Sequence, residues 1–145
     1  MNKLLKRPLF LLLSFTWGLP VSLAGAIWSL ALLLTGHRPK RFGSCLRFEL
    51  GRGWGGANFG WVFFTQANPS LALMQHEHGH GVQNILLGPL MPFLVCLPST
   101  LRYHYRNLVT RLRPGKALPP YDSIWFEGWA TRLGRKYFPT ADTQY

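Results

Sequence analysis

Acidic residues are scarce in this chain: five Asp and Glu among 145 residues, against 16 Lys and Arg, for a net charge of +11 at pH 7. That balance excludes a surface built on paired charges and makes the position of each carboxylate informative. Cysteine is scarcer still. Cys45 and Cys96 form no C-x-x-C pair, which excludes a disulfide framework and a thiolate-rich structural metal site. No internal repeat or low-complexity tract is evident. No helix-turn-helix, RNA-binding sheet motif or zinc-finger spacing accompanies the basic charge, so no nucleic-acid partner is expected. The glycines of Gly51-Arg52-Gly53-Trp54-Gly55-Gly56 open no helix and read as a turn rather than a nucleotide loop.

What the chain has instead is apolar length. From Leu9 to Leu34 there is no charged residue, and about 20 apolar residues suffice for a helix to cross a bilayer. Residues 1–36 are therefore expected to form a transmembrane anchor, kinked near Gly18 and Pro20, ahead of a domain over 37–145. The competing reading is a cleaved signal peptide, with Lys3, Lys6 and Arg7 as its basic start and Ala24-Gly25-Ala26 as its cleavage site. Signal cores run only about 7–15 residues, and this run continues through Trp28 to Leu34. A second apolar stretch, 85–101, is interrupted by Gly88, Pro89, Pro92 and Pro98 and is expected to be membrane-embedded or interfacial. Basic clusters flank these stretches, where cations meet anionic headgroups. Membrane lipids are the expected partner.

Between them, Cys45–Leu50 alternates apolar and polar as a half-buried strand does. With the glycine link and Ala57–Thr65 it reads as a β-hairpin. Asn68 is the expected N-cap of a helix from about Ser70 to Leu87, with Pro69 at its first position. Arg102–Pro120 reads as a surface connector, and a last helix capped by Asp122 or Ser123 runs to about Lys136. The fold expected is α+β, mainly helical.

The helix over 70–87 carries His76-Glu77-His78-Gly79-His80, an H-E-x-x-H pentapeptide. Residues four apart share a helical face, so His76 and His80 can offer two imidazoles to one metal ion. Glu77, one residue along, can serve as general base toward water at that ion. Glu127, in Phe126-Glu127-Gly128-Trp129-Ala130, stands where a third ligand is needed. Three protein ligands leave a position open, the pattern of a catalytic rather than a structural zinc. His78 points to the opposite face and reads as a solvent or interface histidine. Gly79 and Gly81 cost about 1 kcal/mol each in a helix, which suits a face approached closely by another backbone or a substrate.

A β-hairpin, an H-E-x-x-H helix and a later glutamate-bearing helix resemble the gluzincin arrangement of zinc metallopeptidases. The continuation into Gln83, Leu87-Gly88-Pro89-Leu90 and Leu97-Pro98-Ser99, with the later Glu127-Gly128-Trp129-Ala130-Thr131, also resembles a family of small bacterial membrane proteins. Those pair an H-E-Y-G-H-x-x-Q…L-G-P…P-S block with an E-x-W-A-D block. The likeness spans roughly residues 55–137. It implies one zinc ion on His76, His80 and Glu127 and a place in the bacterial inner membrane; it supplies a site rather than a biological role and does not identify which peptide or membrane protein is the substrate. Two positions depart from the pattern: His78 replaces the aromatic and Thr131 the final Asp. In gluzincins an acidic residue one turn beyond the ligand glutamate buttresses a ligand histidine; Thr131 can accept a hydrogen bond but brings no charge.

The expected activity is hydrolysis of a peptide bond, with His104, between Tyr103 and Tyr105, as a candidate donor to the oxyanion. The alternative for that trio is an aromatic belt at a membrane interface. Tyr121 is a second candidate for the donor, and Trp129 reads as helix packing. A different class of function, a metal-binding membrane scaffold or sensor without catalysis, has no need of Glu77.

Overall fold

Proline and glycine divide the N-terminal apolar run into two helices. In the computed structural model, which describes residues 6–138, α1 spans Arg7–Phe15 and α2 spans Leu19–Leu34, with a bend of 101° between them. Pro20 has no N–H to give the Thr16 carbonyl, and its ring would crowd that group in a continuous helix. The chain therefore stops at Thr16 and restarts from Gly18, so the run over Leu9–Leu34 is two sharply bent helices rather than one continuous kinked one. No helix among the described residues is by itself long and apolar enough to cross a membrane. Lys3, of the first basic cluster, lies outside the described residues.

The second apolar stretch is broken in the same way. Helix α3 (Leu71–Leu87) ends at Gly88, a 3-10 turn covers Gly88–Leu90, a π-helical turn covers Pro92–Cys96, and α4 runs Leu97–Leu112. The two arms meet at 117°. Residues 85–101 are thus two helix ends and a corner, and much of the expected connector after Arg102 is helix. Pro98 is tolerated because it falls in the first turn of α4.

Four short strands form one sheet: β1 (Lys40–Phe42), β2 (Cys45–Glu49), β3 (Gly56–Phe59) and β4 (Val62–Thr65). The order is β1-β2-β4-β3, with β2 and β4 parallel and the outer pairs antiparallel. The expected hairpin of 45–50 with 57–65 is therefore corrected. The tight turn lies inside the second segment, at Gly60-Trp61, where Phe59 pairs with Val62. Gly60 takes φ +75°, the left-handed region that a two-residue hairpin loop requires. Its N–H donates to Asn58 Oδ1 at 2.7 Å. The glycine link instead carries the chain across, setting Leu46 beside Val62.

Ser70, not Asn68, caps α3: its hydroxyl accepts from Leu73 N–H at 3.2 Å, and Asn68 is left-handed at φ +53°. A 3-10 turn at Tyr121–Ser123 precedes α5 (Trp125–Tyr137), which begins at Ile124 without a side-chain cap. Neither Asp122 nor Ser123 caps it. Helix α5 starts with Glu127 in its first turn and ends with Arg135 and Lys136 in its last, each on the favourable side of the helix dipole.

The core lies between α1, the sheet, α3 and α5, where Phe10, Phe42, Phe63, Met74 and Val82 are buried together. Helices α3 and α5 touch backbone to backbone. A Cβ on Gly79 would overlap the Ala130 carbonyl, and one on Gly134 would overlap the Gln75 carbonyl. Gly79 is thus explained by a neighbouring helix. Helix α2 is reversed relative to an ordinary surface helix: Ser22, Gly25 and Ser29 face inward, while Leu23, Ile27, Trp28, Leu30 and Leu34 are exposed.

Candidate metal centre

One turn of α3 and the first turn of α5 meet across the glycine contact, and this brings the three sequence-predicted ligands together. His76 Nε2 and His80 Nε2 each lie 3.1 Å from the same oxygen, Oε2 of the fully buried Glu127. The candidate ligand atoms of the three residues fall within 4.8 Å of one another, and the group could hold a metal ion. Two ligands at about 2.0–2.1 Å on a tetrahedral ion stand roughly 3.3 Å apart, so little movement separates the observed spacing from a coordinated one.

The groups behind the ligands fix their orientation. His80 Nδ1 lies 2.7 Å from Gln83 Oε1, and Gln83 Nε2 donates to the Phe126 carbonyl at 2.8 Å. With its amide oriented that way, Gln83 can only accept from His80, so Nδ1 carries a proton and Nε2 is the atom offered to an ion. His76 Nδ1 lies 2.9 Å from Thr131 Oγ1. Thr131, though uncharged, thus reaches the histidine from α5. Ser99 Oγ donates to Glu127 Oε1 at 2.5 Å, leaving Oε2 for the imidazoles, and Tyr121 Oη lies 3.4 Å from the same serine. Burial alone would raise the Glu127 carboxyl, but hydrogen bonds with His76 and His80, aided by Ser99, hold it well below the ordinary range.

Removing the Thr131 hydroxyl tests this support. Thr131→Val should weaken affinity for a divalent ion by about 10- to 100-fold, read by competition with a chromophoric chelator. Unchanged affinity would mean that His76 is oriented by something else.

Glu77 points into the same region without joining the ligand group. It is buried, its Oε2 has no hydrogen-bond partner, and its pKa is pushed up to about 7 by burial, with His76 pulling down and Glu127 pushing up. Strand β3 lies directly beside it: a Cβ on Gly56 would come within 2.6 Å of Glu77 Oε1. Asn58 Nδ2 donates to the Glu77 carbonyl at 2.8 Å, tying strand to helix. These groups line a cavity of about 800 Å³ whose remaining walls come from α2 and the Pro92–Leu112 arm.

Two expectations are corrected. His104 is exposed on α4 and is not among the cavity residues; Tyr103 and Tyr121 line it instead. One residue along a helix turns a side chain by about 100°, which carries His104 away from the wall that Tyr103 joins. His78 does face away from the ligands, but into the core rather than solvent. It is buried against Phe10, Phe42 and Phe138, accepts from Ser44 N–H at 3.3 Å, and burial lowers its pKa to about 4. Trp129 packs against the core as expected. Gly56 and Asn58 escape sequence reading because only tertiary packing places them beside Glu77, whereas Gln83, Ser99 and Thr131 sit inside the two resemblance blocks. Comparison with protein-family models, curated proteins and solved structures finds no match to this chain.

Proposed function

We propose that this chain is a membrane-associated, zinc-dependent peptidase in which His76, His80 and Glu127 hold the ion and Glu77 moves the proton. The observation that carries the reading is the convergence of two imidazole nitrogens and one carboxylate oxygen within 4.8 Å, with the unpaired Glu77 carboxylate in the same cavity. Two nitrogens and one oxygen suit zinc, and three ligands leave a position open. Zinc held there supplies Lewis acidity and lowers the pKa of water to about 7.

The chain's own groups supply the rest. Glu77 takes a proton from the attacking water as the water oxygen bonds to the scissile carbonyl carbon. When the carbon–nitrogen bond breaks, its electron pair stays on nitrogen, and Glu77 returns the proton there, giving a free acid and a free amine. Tyr121 lines the same cavity, and burial raises its phenol above the ordinary value. It therefore remains a donor for the oxyanion of the tetrahedral intermediate. A protein that only stored or sensed metal would gain nothing from an unpaired buried carboxylate, which costs stability.

Membrane association is supported by the reversed face of α2 and by the exposed Leu90, Phe93, Leu97 and Leu101 around the second corner. These side chains are half or more exposed, so each left in water forgoes about 1–2 kcal/mol, a loss that lipid removes. Contiguous apolar patches of this kind mark interaction sites. Arg38, Lys40 and Arg41 follow α2 directly, where anionic headgroups would meet them.

Elemental analysis of detergent-purified protein tests the centre. About one zinc per chain is expected in the wild type, with loss in both His76→Ala and Glu127→Ala. Wild-type protein that stays metal-free after zinc is supplied would overturn the reading.

A further inference from the structure

We propose that the cavity beside the metal centre takes a membrane-resident peptide segment of large, uncharged apolar side chains. This rests on the peptidase reading above and names its substrate class. The lining of the cavity is of two chemical kinds. One is His76, Glu77, His80, Ser99, Tyr121 and Glu127, the groups of the reaction. The other is apolar, with Val21 and Ala24 of α2, Phe59 of β3, and Met91 and Val95 at the second corner. Val21, Met91 and Val95 belong to one buried apolar cluster, with Phe59 packed against it.

Among the described residues lining the cavity, Arg106 is the only charged side chain besides the two glutamates of the centre. Its guanidinium is already engaged, donating to the Pro119 carbonyl at 2.6 Å and lying 5.6 Å from the centre of the Tyr121 ring. A charged substrate side chain lodged against Val21, Phe59, Met91 and Val95 would lose its water and meet no counter-charge, which is costly. An apolar one would lose nothing. About 800 Å³ lies within the range of pockets that enclose a sizeable ligand, so the space admits several side chains of an extended segment.

The outer faces of the walls agree with the chemistry. Both walls, α2 and the Pro92–Leu112 arm, turn apolar residues outward as well as inward: Leu23 and Ile27 on one, Phe93, Leu97 and Leu101 on the other. On the membrane-associated reading those faces lie against lipid, so an apolar segment held in the bilayer is already beside the elements that wall the cavity, and a polar peptide in solution is not.

The test uses zinc-loaded full-length protein in lipid nanodiscs with two labelled peptides of equal length, one rich in Leu and Val and inserted in the bilayer, the other rich in Ser, Gln and Lys. Cleavage is read by mass spectrometry, and binding is read separately on Glu77→Gln protein, in which turnover is slowed. The apolar peptide should bind and be cut at least about 100-fold more efficiently than the polar one. Ala24→Trp, which adds bulk to the apolar lining, should weaken its binding at least about 10-fold while retaining zinc, the retained zinc showing that the fold survives. Cleavage of the polar peptide at an equal rate would overturn the substrate class and leave the peptidase reading intact. Binding of the apolar peptide with no cleavage by the wild type would overturn the peptidase reading instead, while the site's preference stood. Failure to bind or cut either peptide would overturn both.

Discussion

Glu77→Gln protein should keep its zinc and lose about 10²- to 10⁴-fold in peptide hydrolysis, the span that a positioned proton carrier contributes. Gln matches Glu in shape, so it can sit against Gly56 without moving β3, but it cannot accept a proton from water. Rate and metal content therefore separate in this variant, whereas removing a ligand lowers both. A variant that cuts peptide at the wild-type rate would remove Glu77 from the mechanism. The same substitution has a signature without metal or substrate. Burial raises the folded-state pKa of Glu77 from 4.5 to about 7, so ionisation at this site opposes folding. The opposition is absent below 4.5, grows as pH rises, and is complete above about 7, where it amounts to about 3 kcal/mol. Metal-free Glu77→Gln protein should accordingly melt higher than metal-free wild type at pH 8 and level with it near pH 4. Glu127 acts in the opposite sense, since its depressed pKa contributes stability above its unfolded value that is lost as pH falls. A bound divalent cation favours the ionised form of Glu77, so the acid limb of the activity profile should fall below pH 7.

Gly79→Ala offers the second large effect, and its sign is diagnostic. On helix propensity alone the substitution should stabilise α3 by about 1 kcal/mol. The added methyl, however, would overlap the Ala130 carbonyl of α5, and a carbonyl within a helix cannot step aside as a side chain can. Overpacking of this kind costs about 1–3 kcal/mol and sometimes more, and the rigid partner places this case at the upper end. The helices must part, and the metal centre straddles their contact: His76 and His80 lie on α3, Glu127 and Thr131 on α5. We expect a loss of about 3 kcal/mol by denaturant melting and a fall in zinc affinity of at least about 10-fold. A variant as stable as wild type with full affinity would mean that the two backbones are not in contact. Gly134→Ala, aimed from α5 at the Gln75 carbonyl, should behave in the same way.

The centre was legible in the sequence because its geometry is local. Residues four apart on one helix face each other whatever surrounds them, so His76, His80 and the adjacent Glu77 could be placed from spacing alone. Glu127 needed a second element, found because so few carboxylates compete with it. What stayed hidden depends on neighbours distant in the chain. His78 is enclosed by aromatic rings from α1, β1 and the end of α5, and no local pattern distinguishes that from a solvent face. Helix α4 carries Leu97, Leu101, Tyr105, Leu108 and Leu112 at helical spacing, but its basic residues and the prolines that follow point to a connector, and because the stripe buries nothing in the fold it does not tell which of Tyr103 and His104 faces the site. The parallel pairing of β2 with β4 was missed because alternation marks a strand without naming its partner. The apolar run signals helix, and Gly18 and Pro20 signal a kink; what the sequence does not show is how sharp it is, a bend of 101° between two separate helices.

The two corners of the chain hold one another. A side chain on Gly18, at the α1–α2 bend, would press into the Asn84 amide of α3; one on Gly88, at the α3–α4 corner, would strike the Trp17 indole. Asn84 Nδ2 also donates to the Gly18 carbonyl at 3.3 Å and to Ser22 Oγ at 3.2 Å. Each elbow is thus the socket of the other. Straightening α1 onto α2 would withdraw Trp17 from Gly88 and Gly18 from Asn84 together, so neither bend can relax alone. The two bends are mechanically one feature, and the helix that carries the metal-site histidines runs between them.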